Sequence, residues 1–168
     1  MRKILLLFFL SLILQSCLYR NNEGRWTTDP AESAFEPVTV DRETFESTIA
    51  ISGPREIERA GKIYVNGDMV YINEVNIGFH VLDNRDPENP ENISFIEIPL
   101  ATDLAIRNNT IYVHHAVDLV AMHYNLGSIE IVHRERNVFP RLNSPDGFLA
   151  EDFDLEEDQI IIGYQTRN

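Results

Sequence analysis

Asn66-Gly67-Asp68 sits between KIYV (62–65) and MVYIN (69–73), two runs in which apolar and polar side chains alternate. Alternation at a period of two buries one face of an extended strand. Asn-Gly between such runs is the strongest short-range hairpin signal, because both residues tolerate positive φ. The same texture recurs from Phe45 onward. FHVLD (79–83) and ISFIEI (93–98) read as a third and a fourth strand, bounded by Asn, Gly, Asp and Pro. After the first sixteen residues no stretch keeps a helical period over three turns, and the acidic segment near residue 150 comes nearest. The chain is expected to be all-β and antiparallel.

The hairpin occurs twice. Aligning VNGDMVYIN (65–73) with IRNNTIYVH (106–114) pairs Val65 with Ile106, Val70 with Ile111, Tyr71 with Tyr112 and Ile72 with Val113. After a one-residue gap, GFHVLD (78–83) meets DLVAMH (118–123). Each copy supplies four strands, predicted at 62–65, 69–73, 78–83 and 93–98, then at 103–106, 110–114, 118–124 and 128–133. Four strands in about forty residues is the arithmetic of a β-propeller blade. The folded part is therefore expected over 45–168, with two propeller-blade-like repeats at 61–102 and 103–140 forming an incomplete propeller. Ring closure removes sheet edges, and two blades cannot close a ring. STIAI (47–51) and QIIIGY (159–164) are flanking strands available to cover the edges. Edges left open invite self-association, or mark a truncated propeller fragment without independent function.

The N-terminus, MRKILLLFFLSLILQSC, has the layout of a secretory signal: a basic start, a short apolar run and a small residue before the cut. The apolar run is about half the roughly 20 residues that a spanning helix needs. Leu14-Gln15-Ser16-Cys17 resembles the bacterial lipobox, and Cys17 is the only cysteine of the chain. The resemblance implies cleavage between Ser16 and Cys17, removal of 1–16, and covalent lipid such as palmitate on Cys17. Losing Arg2 and Lys3 with the signal leaves 12 basic against 27 acidic side chains. An anionic bilayer repels such a chain, so the lipid rather than charge holds it at the membrane. No aspartate follows the cysteine as an inner-membrane retention signal; Leu18 stands there. The implied address is the cell envelope, at the outer membrane or cell surface. Residues 17–44 are expected to be the lipidated cysteine and a tether, with Trp26 and Phe35 available to dock but an unstructured linker preferred.

GKIYVNGDMVYINEVNIGFHVLDNRDPENPENISFIEIP (61–99) resembles a repeat of the LVIVD-repeat proteins, bacterial surface lipoproteins and secreted proteins with propeller-like folds. The hairpin, the GFHVLD strand and the Asp86-Pro87-Glu88-Asn89-Pro90 loop carry the resemblance. NNTIYVHHAVDLVAMHY (108–124) resembles the repeat that follows. The likeness covers roughly residues 55–140. The second copy departs from the pattern where His123 replaces a strand-ending aspartate and Asn125-Leu126-Gly127 replaces the proline loop. The resemblance implies a propeller-like fold, and brings no general enzymatic activity and no catalytic residues.

A net charge of −13 excludes a nucleic-acid binder, since nothing neutralises a phosphate backbone. A single cysteine excludes an intramolecular disulfide and a thiolate zinc site. His114 and His115 are adjacent and so point to opposite faces of a strand. His123 and His133 lie on the next two predicted strands, which makes His114, His123 and His133 weak metal candidates. Six acids between Glu151 and Asp158 lack EF-hand spacing and read as a solvated loop. Glu74, at the end of the second strand, is a binding candidate, with a plain surface carboxylate as the alternative reading. There is no Gly-x-Ser-x-Gly elbow and no phosphate loop. The expected function is a non-catalytic binding or scaffold module without a cofactor, taking a protein or a glycan. The alternative is an enzyme using metal or carboxylates at the blade loops.

Overall fold

The structure, a computed structural model, describes residues 29–167. The signal expected over residues 1–16, Cys17 and Trp26 lie outside the described residues. Strands β1 (Phe35–Asp41), β2 (Ala50–Ser52), β3 (Ala60–Asn66), β4 (Met69–Glu74), β5 (Gly78–Asp83) and β6 (Glu91–Glu97) come first. β7 (Leu104–Arg107), β8 (Thr110–His115), β9 (Asp118–Asn125), β10 (Ser128–Glu135) and β11 (Gln159–Thr166) follow. One short helix, α1 (Arg42–Glu46), separates β1 from β2. The fold is all-β, every strand pairing is antiparallel, and each repeat is a four-stranded meander, β3 to β6 and β7 to β10.

The two equivalent hairpins turn differently. β3 and β4 are joined by Gly67-Asp68, with Gly67 at φ +58° and Asn66 still in the ladder opposite Met69. Glycine at the first of two loop positions suits a II′ turn. β7 and β8 are joined by Asn108 and Asn109 at φ +49° and +62°, the two left-handed residues of a I′ turn. Both turns follow the right-handed twist of their strands, so chemistry differs while register is kept.

Sheet one has the order β2-β6-β5-β4-β3 and sheet two the order β10-β9-β8-β7. They stack face to face over one core that includes Tyr71, Phe79, Val81 and Ile96 from sheet one and Ile111, Val113, Val120 and Met122 from sheet two. The stacking is head to tail. Sheet one contributes the face carrying Tyr71, whereas sheet two contributes the opposite face of its repeat and leaves Tyr112, the equivalent of Tyr71, 38% exposed. β2 lies near β10 and β3 near β7. At the second of these edges Lys62 and Tyr64 both donate to Asp103.

Of STIAI only Ala50 and Ile51 enter a strand, β2, which extends sheet one beyond β6. QIIIGY supplies β11, but it pairs with β1 and covers neither meander. The expected tether to residue 44 is corrected accordingly: β1 and the start of α1 fall within it. Pro37 misleads a sequence reading here. A two-stranded sheet has free sides, so a residue without an N–H is tolerated. Asp41 caps α1 by accepting from Thr44 N at 2.8 Å and lies at the β1–α1 junction. Phe45 is then buried with Ala116, Val117 and Ile160 in a second cluster, which fastens this small sheet to the end of sheet two.

Gly78 opens β5 against the backbone of β6. A Cβ built there falls 2.0 Å from the carbonyl oxygen of Ile96. Gly78→Ala is expected to cost ~1–3 kcal/mol through overpacking, read from denaturant unfolding, against a near-neutral Gly53→Ala, where a Cβ meets nothing within 4 Å.

Candidate functional site

Each repeat buries one histidine and one carboxylate near the end of its central hairpin. In the first repeat Glu74 and His80 are 3% and 0% exposed, with Oε2 and Nε2 3.0 Å apart. Glu74 also accepts from the backbone N–H of Arg59 at 2.5 Å and of Glu58 at 3.1 Å. Burial pushes its pKa up, but the hydrogen bonds from His80, Arg59 and Glu58 prevail and hold it below the usual carboxylate range. Glu74 is thus neither the surface carboxylate nor the loop-end ligand expected. It fastens the strap formed by residues 53–59 onto the outer face of sheet one. His80 Nδ1 is buried without a hydrogen-bond partner.

In the second repeat Asp118 is 0% exposed and accepts from Arg42 Nη1 at 2.7 Å, Arg134 Nη1 at 2.8 Å and Asn137 N at 3.0 Å. Burial again opposes ionisation. The donors from Asn137, Arg134 and Arg42 outweigh it and lower the pKa. His115 stacks on Phe45 with ring centroids 4.0 Å apart and planes 14° apart. Arg134 Nη1 lies 3.1 Å from its Nδ1, which must therefore accept; Nε2–H donates to Thr48 Oγ1 at 3.1 Å, and that hydroxyl donates to Phe45 O. Burial first, and then the Arg134 charge, push the His115 pKa down from 6.5 to about 3, so the ring is neutral. Both carboxylates are engaged by protein groups that pin the strap, α1 and the β10 end.

His114 points the other way, as adjacency on a strand requires. Its Nδ1 lies 3.2 Å from Thr102 Oγ1, and Phe139 meets the ring edge-on at 4.7 Å. Phe139 is placed by its own N–H donating to Val117 O at 2.9 Å. Two adjoining cavities of about 450 and 320 Å³ share Thr102, His114 and Pro140. The first continues along Ala105, Tyr112, Leu119 and Phe139 on the outer face of sheet two. The second, more enclosed, runs under Arg141 and Asn143 past Asn76, Leu100 and Ala116. Those last three residues take φ of +63°, +61° and +49°. A left-handed backbone is unfavourable for leucine and alanine and persists only where surrounding structure imposes it, and such positions cluster at functional sites.

The other imidazoles do not join His114. Register puts His114 opposite Leu119, His133 opposite Ala121 and His123 opposite Glu130, three different rows of the sheet. His123 Nε2 pairs with Thr110 Oγ1 at 3.1 Å, and His133 with Glu135 at 3.3 Å on the surface. No group of three or more His, Cys, Asp or Glu that could hold a metal ion occurs among the described residues. In the acidic segment, Ala150–Asp152 forms a 3-10 turn in which Asp152 accepts from Leu149 N. Thr102, Phe139 and Pro140 were not singled out from sequence, because the chain returns to His114 from distant positions. No protein-family model, curated protein or solved structure matches the chain.

The buried pairs make the fold sensitive to acid. Between pH 6.5 and about 3 the unfolded chain binds a proton at His115 that the folded chain refuses, so stability falls as pH drops through that window. Asp118 and Glu74, with lowered pKa, contribute stability that is present above the ordinary carboxylate range and is lost below it. Thermal midpoints measured from pH 7 to pH 4 should therefore descend steadily. At pH 7, Asp118→Ala is expected to cost ~3–5 kcal/mol in urea unfolding, because Arg42 and Arg134 lose their buried counter-charge.

Proposed function

We propose that this protein is a lipid-anchored binding module of the bacterial cell envelope, of LVIVD-repeat type, whose ligand seats in the His114 cleft without being chemically changed. The observation that carries the binding reading is the pair of adjoining cavities meeting at His114, walled by backbone held in the left-handed region. Tyr112 and Phe139 offer aromatic surface; Thr102, His114, Asn76 and Asn143 offer hydrogen-bonding groups beside it. Such a mixture fits a ligand with an apolar face and hydroxyl or amide groups, as in a sugar ring joined to a peptide. Binding is favoured over catalysis by the use made of the two histidine–carboxylate pairs. In both, the carboxylate is buried and satisfied by structural donors, while His114 in the cleft hydrogen-bonds a hydroxyl. The anchoring half of the reading rests on Leu14-Gln15-Ser16-Cys17.

Soluble muropeptides, which combine sugar and peptide, are the probe of choice. Their titration into isotope-labelled protein should shift the resonances of Tyr112, His114 and Phe139, and Phe139→Ala should weaken the response at least tenfold. Shifts confined to other surfaces, or none with muropeptides and none with their separate glycan and peptide parts, count against the cleft. For the anchor, Cys17→Ser should abolish incorporation of labelled palmitate and move the protein out of the membrane fraction. Labelling that persists in this variant refutes lipidation at Cys17.

A further inference from the structure

Head-to-tail stacking of two repeats uses one face of each sheet and leaves two unlike faces over. The used face of sheet two carries Leu104, Ile111, Val113 and Met122, at 6%, 2%, 0% and 0% exposure. The repeat alignment and strand register put Ile63, Val70, Ile72 and Leu82 at the same positions on the outer face of sheet one, with Val65 matching Ile106. That face is therefore built like a core. Yet Ile63 and Val65 are 63% and 68% exposed, and Val70, Ile72 and Leu82 are half-buried. The strap covers only the other half of the face, where Arg55 lies 3.8 Å from the Phe95 ring and Glu74 holds Arg59. Ile57 of the strap, itself 42% exposed, borders the open half through a depression shared with Asn92, the register partner of Leu82.

The chemistry of the face selects its occupant. The five matched positions carry no charge, in a chain whose net charge is −13. The outer face of sheet two is a poor complement, since its lower part carries Arg107 and Glu130, charges that apolar side chains would strip of water, beside the Thr110–His123 pair. The same face of a second copy opposes apolar to apolar and strips no charge of water. A self-complementary patch of this kind gives a closed two-fold contact, the commonest oligomer symmetry. We propose that two copies of this chain pair through the outer face of sheet one, with Ile63, Val65, Val70, Ile72 and Leu82 of each packed on those of the other. The His114 cleft, on the outer face of the other sheet, stays open in both copies. Five side chains from each copy are few beside the roughly 20–30 residues a side of a standard interface, so the dimer forms and dissociates with concentration.

The test uses the full chain carrying Cys17→Ser, so that any introduced cysteine is the only thiol. Sedimentation equilibrium should show mass rising from monomer to dimer with concentration. Val65→Lys, at a side chain already exposed, should leave the thermal midpoint in place and weaken association at least tenfold. Single cysteines at Val65, Ile72 and Leu82 should include at least one that yields disulfide-linked dimers, while Tyr112→Cys yields none. A monomer at every concentration overturns the proposal. So does association that survives Val65→Lys and is lost in Val132→Lys, which assigns the contact to the open edge at β10. Mixed dimers of Val65→Cys with Tyr112→Cys, with no self-linked species, overturn it in favour of a head-to-tail contact.

Discussion

Asp118 carries a negative charge at a position with no solvent exposure, and much of the second repeat is arranged to make that tolerable. Arg134 reaches it from β10 and Arg42 from α1, and the backbone N–H of Asn137 completes the shell. Each donor fixes the element that carries it. Arg42 brings α1 against the β8–β9 end, so Phe45 can stack on His115 and the β1–β11 sheet can seal the cluster above it. Asn137 sets the direction in which the chain leaves β10, and two residues later Phe139 donates to Val117 and presents its ring to His114. The candidate site is thus a consequence of how a buried carboxylate is satisfied. A burial cost of several kcal/mol per unpaired ion explains why so many elements converge there.

The two repeats meet the same problem with exchanged residues. Glu74 and His115 occupy equivalent strand ends, and the complementary partner comes in each case from the next strand, His80 or Asp118. In the first repeat the carboxylate accepts from a histidine and two backbone N–H groups of a passing strap. In the second it accepts from two arginines, and the histidine turns to stacking and to Thr48. A buried polar pair at this point serves the fold either way, because it ties a covering segment to a sheet end that has no further strand to pair with. The Glu74 segment closes half of one face, and the Asp118 segment closes a sheet end and leaves a cleft.

The eight strands of the meanders were legible because one face of each sheet is buried in a common core. Alternation then dictates register, and a slip by one residue would turn every apolar side chain outward. β1 was not legible: FEPVTVD pairs only with β11, and Pro30 and Pro37 carry the composition of a linker. The opposite pointing of His114 and His115 followed from strand geometry alone. The burial of Glu74 did not, since its partners are backbone N–H groups of Glu58 and Arg59, which no side-chain pattern announces. The cleft was half visible. His114 and Tyr112 lie on a recognisable strand, but Phe139 and Pro140 reach them through a return of the chain that depends on Asn137 and Val117. Interactions along a strand are written in spacing; those made by a returning segment are written in a few hydrogen bonds.

A stack of two repeats has an inherent asymmetry. Were the repeats identical, the two leftover faces would be copies of the two faces already joined, and copies of the chain would add end to end without limit or close into a ring. Here the leftover faces have diverged. The outer face of sheet one keeps the aliphatic character of its buried counterpart, with Ile63 and Val65 where sheet two has Leu104 and Ile106. The outer face of sheet two has Thr110, His114 and Ala121 where sheet one packs Met69, Asn73 and Val81, and it is partly roofed by Phe139 and Pro140. That replacement removes the complementarity that end-to-end addition requires, because imidazole and hydroxyl groups would have to leave water against aliphatic side chains. It also creates the polar and aromatic lining of the cleft. The same substitutions therefore separate the two leftover faces chemically: one is lined by Tyr112, His114 and Phe139, and the other keeps the aliphatic side chains of its buried counterpart.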